Sequence, residues 1–142
     1  MATIRHIEDI QAWRKARELV REIYKTCAEG ALKKDFGLTD QLRRAAVSSM
    51  SNVAEGFGRK SDKDFARFLD MAKGSVVEVQ SLLYVALDVH YIDEQEFQRL
   101  NQLADETAPL VGGLTSYLRR RSAKTAPDVR SPESETHDND ST

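Results

Sequence analysis

The residues best suited to catalysis or metal binding are the histidines His6, His90 and His137 and the single cysteine, Cys27. No histidine follows a glutamate by three positions, so the Glu-x-x-His pairs of di-iron helical bundles are absent. The zinc motif His-Glu-x-x-His is absent as well. Cys27 falls on an apolar helix face, which favours a buried thiol. We therefore predict no catalytic residue, no metal ligand and no cofactor, and a protein that is not an enzyme.

Arginines and lysines are the other side chains that could carry a function, because they bind phosphate groups. Whole-chain charge does not support a general affinity for nucleic acid, since 21 basic and 23 acidic residues leave a formal charge of −2. Only a local patch of basic residues could support nucleic-acid binding. The alternative is a solvated helix face, because Glu18 and Glu22 intersperse the basic residues. The candidates for RNA or DNA binding are Arg14, Lys15, Arg17, Arg21, Arg43, Arg44, Arg59, Lys60 and Lys63.

Four helices must position these residues. Apolar side chains recur three and four residues apart, which is the period of a helix face. The glycines Gly56 and Gly58 are expected to end the second helix in the left-handed conformation. The pattern predicts helices from Asp9 to Ala28, from an N-cap at Thr39 to about Glu55, from an N-cap at Ser61, and from about Asp93 onward.

The sequence thus predicts an all-α fold, an antiparallel up-down-up-down four-helix bundle over residues 1–121. Pro109 is expected to bend the fourth helix near 107–113 without breaking it. Residues 122–142 are polar and contain two prolines, which predicts a disordered C-terminal tail. No apolar run reaches the ~18 residues of a membrane span. With no signal-peptide pattern at the N-terminus, we expect a cytoplasmic protein.

The third helix carries more apolar surface than one face of a bundle helix needs. Val77, Tyr84, Val85 and Leu87 point away from the stripe set by its other apolar residues. A second copy or a partner would have to cover them. The sequence therefore predicts self-association through these four residues, and the alternative is an irregular bundle with a central third helix.

A second group of residues is expected to join the second and third helices. Asn52 and Glu55 lie three apart on one helical face, followed by Gly56. We predict that Asn52 bonds to Ser75 beside a close helix contact at Gly74, and that Glu55 pairs with Arg59 or Arg44. This structural clasp is favoured over a ligand site.

The ordered combination of these segments resembles the bacterial four-helix bundle proteins named after the intervening sequences of 23S ribosomal RNA. The resemblance spans about residues 5–120, and Met50 departs from it where members often carry proline. It is carried by Trp13 with Ala16 and Leu19, by Leu42-Arg43-Arg44-Ala45-Ala46, by Ser51-Asn52-Val53-Ala54-Glu55-Gly56 with Arg59 and Ser61, and by Phe65, Phe68, Leu69, Ala72, Gly74, Ser75 and Glu78.

The resemblance implies a pentameric ring and kinship with the accessory protein of diversity-generating retroelements, which binds a reverse transcriptase and nucleic acid. It assigns no catalytic residues. The leading hypothesis is a non-catalytic, homo-oligomeric scaffold that binds structured RNA or other nucleic acid through basic helix faces. The alternative is an adaptor for a protein partner encoded nearby, with no role in nucleic-acid binding.

Overall fold

The computed structural model describes residues 3–124, which form the predicted all-α four-helix bundle. The helices are α1 (Gln11–Cys27), α2 (Phe36–Phe57), α3 (Asp62–Asp88) and α4 (Glu94–Ala123). Short 3-10 helices at Ile7–Asp9 and Leu32–Lys34 precede α1 and α2. Within the described residues, no helix combines the length and apolar character needed to cross a membrane.

Side-chain caps explain where three of the helices begin. The side chains of Asp35, Ser61 and Asp93 accept hydrogen bonds from backbone amides three residues on, at the starts of α2, α3 and α4. The expected N-cap at Thr39 is therefore wrong. Thr39 lies inside α2, where its hydroxyl donates to the carbonyl of Leu32 at 2.9 Å.

Each helix packs against two neighbours, in the order α1, α2, α3, α4 and back to α1. Contacts between helix ends show that α1 and α4 are antiparallel, as are α2 and α3. Thr26 at the end of α1 donates to Glu96 at the start of α4, at 2.7 Å. At the opposite end, Gly56 near the end of α2 meets Phe65 near the start of α3.

The core is formed by two clusters stacked along the bundle axis. Trp13, Val53, Phe65 and Leu118 belong to the first cluster, near the start of α1 and the end of α4. The second cluster lies near the other end and includes the Cys27 side chain, which is 1% exposed as predicted. Burial raises the pKa of the Cys27 thiol, and the Arg43 guanidinium beside it opposes that shift. The thiol is therefore a core side chain.

The close approach of α2 to α3 occurs at Gly56, whereas we predicted it at Gly74. A β-carbon on Gly56 would lie 2.8 Å from the ring of Phe65 and 2.9 Å from the β-carbon of Phe68. A β-carbon on Gly74 would meet no atom within 4 Å. Gly56 lies within α2, and Gly58 caps the helix with a φ of −76°, so the expected left-handed conformation is wrong for both.

Helix α4 passes through Pro109 without a break. The helix continues to Ala123, past the predicted start of the tail at Ser122. The remainder of the predicted disordered tail, residues 125–142, lies outside the described residues.

Candidate functional site

Charge separates along the bundle axis. We call the half formed by residues 3–18, 50–74 and 109–124 the basic end; it holds 13 arginines and lysines against 7 aspartates and glutamates, a formal +6. The other half, residues 19–49 and 75–108, is the acidic end; it holds 7 basic and 11 acidic residues, a formal −4. A near-neutral bundle therefore has one positively charged end.

The antiparallel topology creates the basic end, because it brings together the start of α1, the connection between α2 and α3, and the end of α4. It unites six of the nine basic residues singled out in the sequence. These are Arg14, Lys15, Arg17, Arg59, Lys60 and Lys63.

The other three predicted residues, Arg21, Arg43 and Arg44, lie at the acidic end and do not join this group. Arg44 pairs with Asp40 at 2.8 Å, and Arg21 lies 3.7 Å from a carboxylate oxygen of its neighbour in α1. Arg43 is half-buried, and its guanidinium carbon lies 5.1 Å from the centre of the Tyr24 ring. These arginines belong to local pairs rather than to one patch.

Sequence reasoning missed seven basic residues at the basic end. The run Arg119-Arg120-Arg121 in the last turn of α4 was a visible signal, but only the bundle topology places it beside α1 and the α2–α3 connection. The full set is Arg5, Arg67, Lys73, Arg119, Arg120, Arg121 and Lys124.

Several cations at the basic end form no ion pair with a carboxylate of the described residues. Among the described residues, no carboxylate lies within 4.0 Å of the charged groups of Arg5, Arg17, Lys63, Lys73 or Arg120, and all five residues are exposed. Their charges are available to an external anion, because neither burial nor a carboxylate neutralises them.

Other arginines at the basic end are held in fixed positions. Arg59 and Arg67 both lie over the ring of the buried Phe68, with guanidinium carbons 4.5 and 4.6 Å from its centre. Arg59, in the connection after α2, also pairs with Glu55 at 2.7 Å, which confirms the predicted pair. Arg67 pairs with Asp64 of its own helix. Both arginines therefore combine a contact with an aromatic ring and an ion pair.

Two further ion pairs join the end of α4 to the start of α3. Arg121 lies 3.4 Å from Asp62, with side chains only 13% and 9% exposed, and Arg119 pairs with Asp70. The Nε and Nη2 atoms of Arg121 are buried, and neither has a hydrogen-bond partner among the described residues. The two pairs thus place the end of α4 beside the first turns of α3.

The predicted clasp between α2 and α3 exists in a different form. The Ser75 hydroxyl donates to the Ser48 hydroxyl across the two helices at 2.9 Å. Asn52 does not reach Ser75; its amide donates to the carbonyl and hydroxyl oxygens of Ser48 at 2.9 and 3.0 Å. Asn52 therefore holds Ser48 in position, and the pair of serines spans the interface. This arrangement is structural.

The acidic end contains an ion network that joins α1 to α4. Arg99 donates to Glu22 at 2.6 Å and to Glu96 at 2.7 Å, and Glu96 also accepts from Thr26. The hydrogen bond from Arg99 is the main cause that lowers the pKa of both glutamates. Because both carboxylates are engaged in binding Arg99, this network stabilises the fold and offers no unoccupied acid or base.

An apolar cleft of about 770 Å³ lies between the N-terminal segment and α4. Ile4, Ile10 and Leu114 line it, and Asp9 is its carboxylate. Backbone amides of His6 and Arg5 donate to that carboxylate and lower the pKa of Asp9. Asp9 thus serves as a cap for the short helix before α1. Within the described residues, no three metal-binding side chains cluster together.

Exposed apolar side chains concentrate on α3. Val77 is 54% exposed, Tyr84 53% and Val85 44%, and Met71 of α3 and Val89 just after it are also exposed. The Tyr84 ring also packs on Phe97 of α4, with centroids 4.7 Å apart. Leu87, predicted to join this surface, is half-buried and packs against the core. Three of the four predicted interface residues therefore form an uncovered apolar strip.

Comparisons with known proteins agree with this architecture. A family model described as 23S rRNA-intervening sequence protein matches residues 8–113. A crystal structure from Bacteroides thetaiotaomicron, described as a protein of unknown function from the S23 ribosomal protein family, is 22% identical. The match covers 73% of this chain and 97% of that one, with a TM-score of 0.67. No curated protein matches the chain.

Proposed function

Since the chain belongs to the family of 23S rRNA-intervening sequence proteins, we propose that it is a non-catalytic, self-associating scaffold that binds structured RNA through its basic end. The observation that carries the proposal is the formal +6 of that end, with five exposed cations that have no carboxylate of the described residues within 4.0 Å. Phosphate oxygens are a suitable partner for such a surface.

Folded RNA fits this surface better than an isolated anion. Helical RNA presents rows of phosphates and 2′-hydroxyls and is recognised mainly by shape and backbone contacts. The basic end offers cations from three segments of the chain, held on a frame that Arg59, Arg67 and Arg121 help to fix. Dispersed contacts of this kind provide affinity with little sequence selectivity.

Self-association is proposed to occur through α3. Covering Val77, Tyr84 and Val85 removes apolar surface from water, at about 25 cal/mol per Å². In a ring, a different surface of the neighbouring copy covers the strip, because a strip that met its own copy would close a dimer. The proposed assembly is the five-copy ring that the family resemblance implies. A ring repeats every basic end, and such repetition strengthens weak contacts.

The RNA proposal is tested with a hairpin of about 20 base pairs in a fluorescence anisotropy titration at several salt concentrations. Replacing Arg17, Lys63 and Arg120 by glutamine should weaken binding at least about tenfold at ~50 mM salt. It should also reduce the slope of log K against the logarithm of the salt concentration by about two to three. The matched control replaces Arg21, Arg44 and Lys33 of the acidic end by glutamine and should change binding less than about threefold. Equal losses in both triple variants, or no binding by the unaltered protein at low salt, would refute the proposal.

Self-association is tested by light scattering coupled to size-exclusion chromatography. The chain weighs 16.0 kDa, so five copies weigh 80 kDa. Val77→Asp with Val85→Asp should lower the mass toward that of one copy, because two carboxylates would have to be covered. Phe36→Asp, at an exposed position outside α3, should leave the mass unchanged. A single-copy mass for the unaltered protein at micromolar concentration would contradict this part of the proposal.

The protein-adaptor alternative is favoured by one observation. Phe36 is 83% exposed at the start of α2, far more than the aromatic residues that pack on the core. Large aromatic residues are enriched in protein interfaces. Copurification from native cells, with nuclease added to half the sample, separates the two functions. A protein partner that stays bound after nuclease treatment, with no RNA recovered from the untreated half, would support the adaptor.

A further inference from the structure

We propose that the acidic segment 125–142 docks on the basic end of the bundle and competes there with RNA. This inference rests on the proposed function and adds regulation to it. The segment would bind the same cations that are proposed to contact RNA phosphates.

The bundle topology puts the start of the segment at the basic end. Helix α4 ends at Ala123, and the residues just before and after that point are Arg119, Arg120, Arg121 and Lys124. The Arg121–Asp62 ion pair places this terminus beside the start of α3. A segment of 18 residues can extend at most ~60 Å, so every cation of the basic end is within its range.

The charges are complementary. Residues 125–142 contain five acidic residues and one basic residue, a formal −4, against +6 at the basic end. The acidic residues are Asp128, Glu133, Glu135, Asp138 and Asp140. In the remainder of the bundle the formal charge is −4, so the segment is repelled from the acidic end. The basic end is therefore its favoured position.

Tethering makes weak ionic contacts effective. A segment attached beside its binding surface is present there at a high effective concentration. Each contact between exposed charges is weak and is screened by salt. RNA carries many more negative charges than the segment and can displace it. The segment should therefore suppress binding to short or sparsely charged RNA more than binding to long structured RNA.

The first test measures RNA affinity with three proteins. Ending the chain after Lys124, or replacing Glu133, Glu135 and Asp138 by Gln, Gln and Asn, should tighten hairpin binding about tenfold at ~50 mM salt. The gain should fall to less than about twofold near ~300 mM salt, because the ionic contacts are screened.

The matched control changes three exposed carboxylates of the acidic end, with Glu29→Gln, Glu78→Gln and Asp88→Asn. The control has the same change in net charge and should tighten binding less than about twofold. If the tail and control variants gain equally, net charge alone explains the effect and the inference is wrong. If truncation leaves the affinity unchanged while RNA still binds, the inference is also wrong, and the proposed function stands.

A second test needs no RNA. A carbodiimide joins carboxylates to lysine amines that they contact, and mass spectrometry locates the links. In the full chain, links from the acidic segment should reach Lys63 and Lys73 at least about five times more often than Lys33 and Lys34. Equal linking at both ends would overturn the inference. Links to the basic end together with an absence of RNA binding would retain the docking and refute the proposed function.

Discussion

Replacing Gly56 by alanine tests whether a buried glycine sets the distance between α2 and α3. The added methyl would lie 2.8 Å from a ring carbon of Phe65, 2.9 Å from the β-carbon of Phe68 and 3.1 Å from the carbonyl oxygen of Phe65. Two of these three atoms move only with the backbone of α3. The third belongs to a ring that is fully buried and cannot turn toward solvent.

Two opposing effects determine the size of the change. Alanine is favoured over glycine inside a helix by about 1 kcal/mol. Inserting a methyl group into a tightly packed interface costs about 1–3 kcal/mol, and the upper part of that range applies because the atoms it meets are fixed. The expected net loss in the free energy of unfolding is therefore about 1–2 kcal/mol. For a domain of this size, the loss lowers Tm by about 4–8 °C.

Gly74 and Gly113 provide matched controls, because a β-carbon at either position meets no atom within 4 Å. Each alanine substitution should therefore gain most of the helix-propensity term, about 0.5–1 kcal/mol, and raise Tm. Gly74 lies in α3 and Gly113 in α4, so the two controls differ in their distance from the proposed self-association surface.

The assay is urea unfolding followed by circular dichroism, at one fixed protein concentration because self-association adds to apparent stability. The expected order of stability is Gly56→Ala below the unaltered protein, and the two controls above it. A Gly56→Ala protein as stable as the controls would show that α3 can move away at little cost, and the reasoning from the close contact would fail.

Two further predictions concern the acidic end. Arg99 lowers the pKa of Glu22 in the folded protein, so the stabilisation is present above the unfolded pKa near 4.5 and is lost as pH falls through the lower folded value. Glu22→Gln should therefore reduce the free energy of unfolding by about 0.5–1 kcal/mol at pH 7 and by almost nothing near pH 2. Urea titrations at the two pH values measure this change, with Glu78→Gln as the control. An equal loss at the two pH values would contradict the ionic cause. Cys27 is 1% exposed, and burial raises the pKa of its thiol. An aromatic disulfide reagent should therefore modify the thiol at least about a hundredfold faster in 8 M urea than in the native protein. Similar rates in the two conditions would show that the thiol is accessible in the native protein.

Much of the fold follows from local patterns. Apolar residues spaced three and four apart identified all four helices, and Ser61 was recognised as the cap of α3. The predicted cap at Thr39 places the start of the second helix too late, because Asp35 is its cap. Asp35 and Thr39 are both residue types that cap helices; Asp35 accepts from the Leu38 amide, whereas the Thr39 hydroxyl donates to the carbonyl of Leu32.

The candidate site was only partly predictable. The sequence indicated basic residues of α1 and of the α2–α3 connection, since these are close in the chain or share a helix face. It did not indicate that Arg119 and Arg120 join them while Arg43 and Arg44 lie at the far end. Which helix ends meet depends on topology, and neighbouring charges in the sequence can lie at opposite ends of a bundle.

The sequence by itself determined the helices, the absence of the metal motifs considered, the excess of apolar residues on α3 and the charge of each segment. These properties depend on residue type and on short-range geometry that repeats every few residues. The tertiary structure alone decided that Gly56, and not Gly74, meets the neighbouring helix, and that cations from three distant segments form one basic end. Both depend on where separate helices cross and end in space, and the spacing of residues within one helix does not determine this.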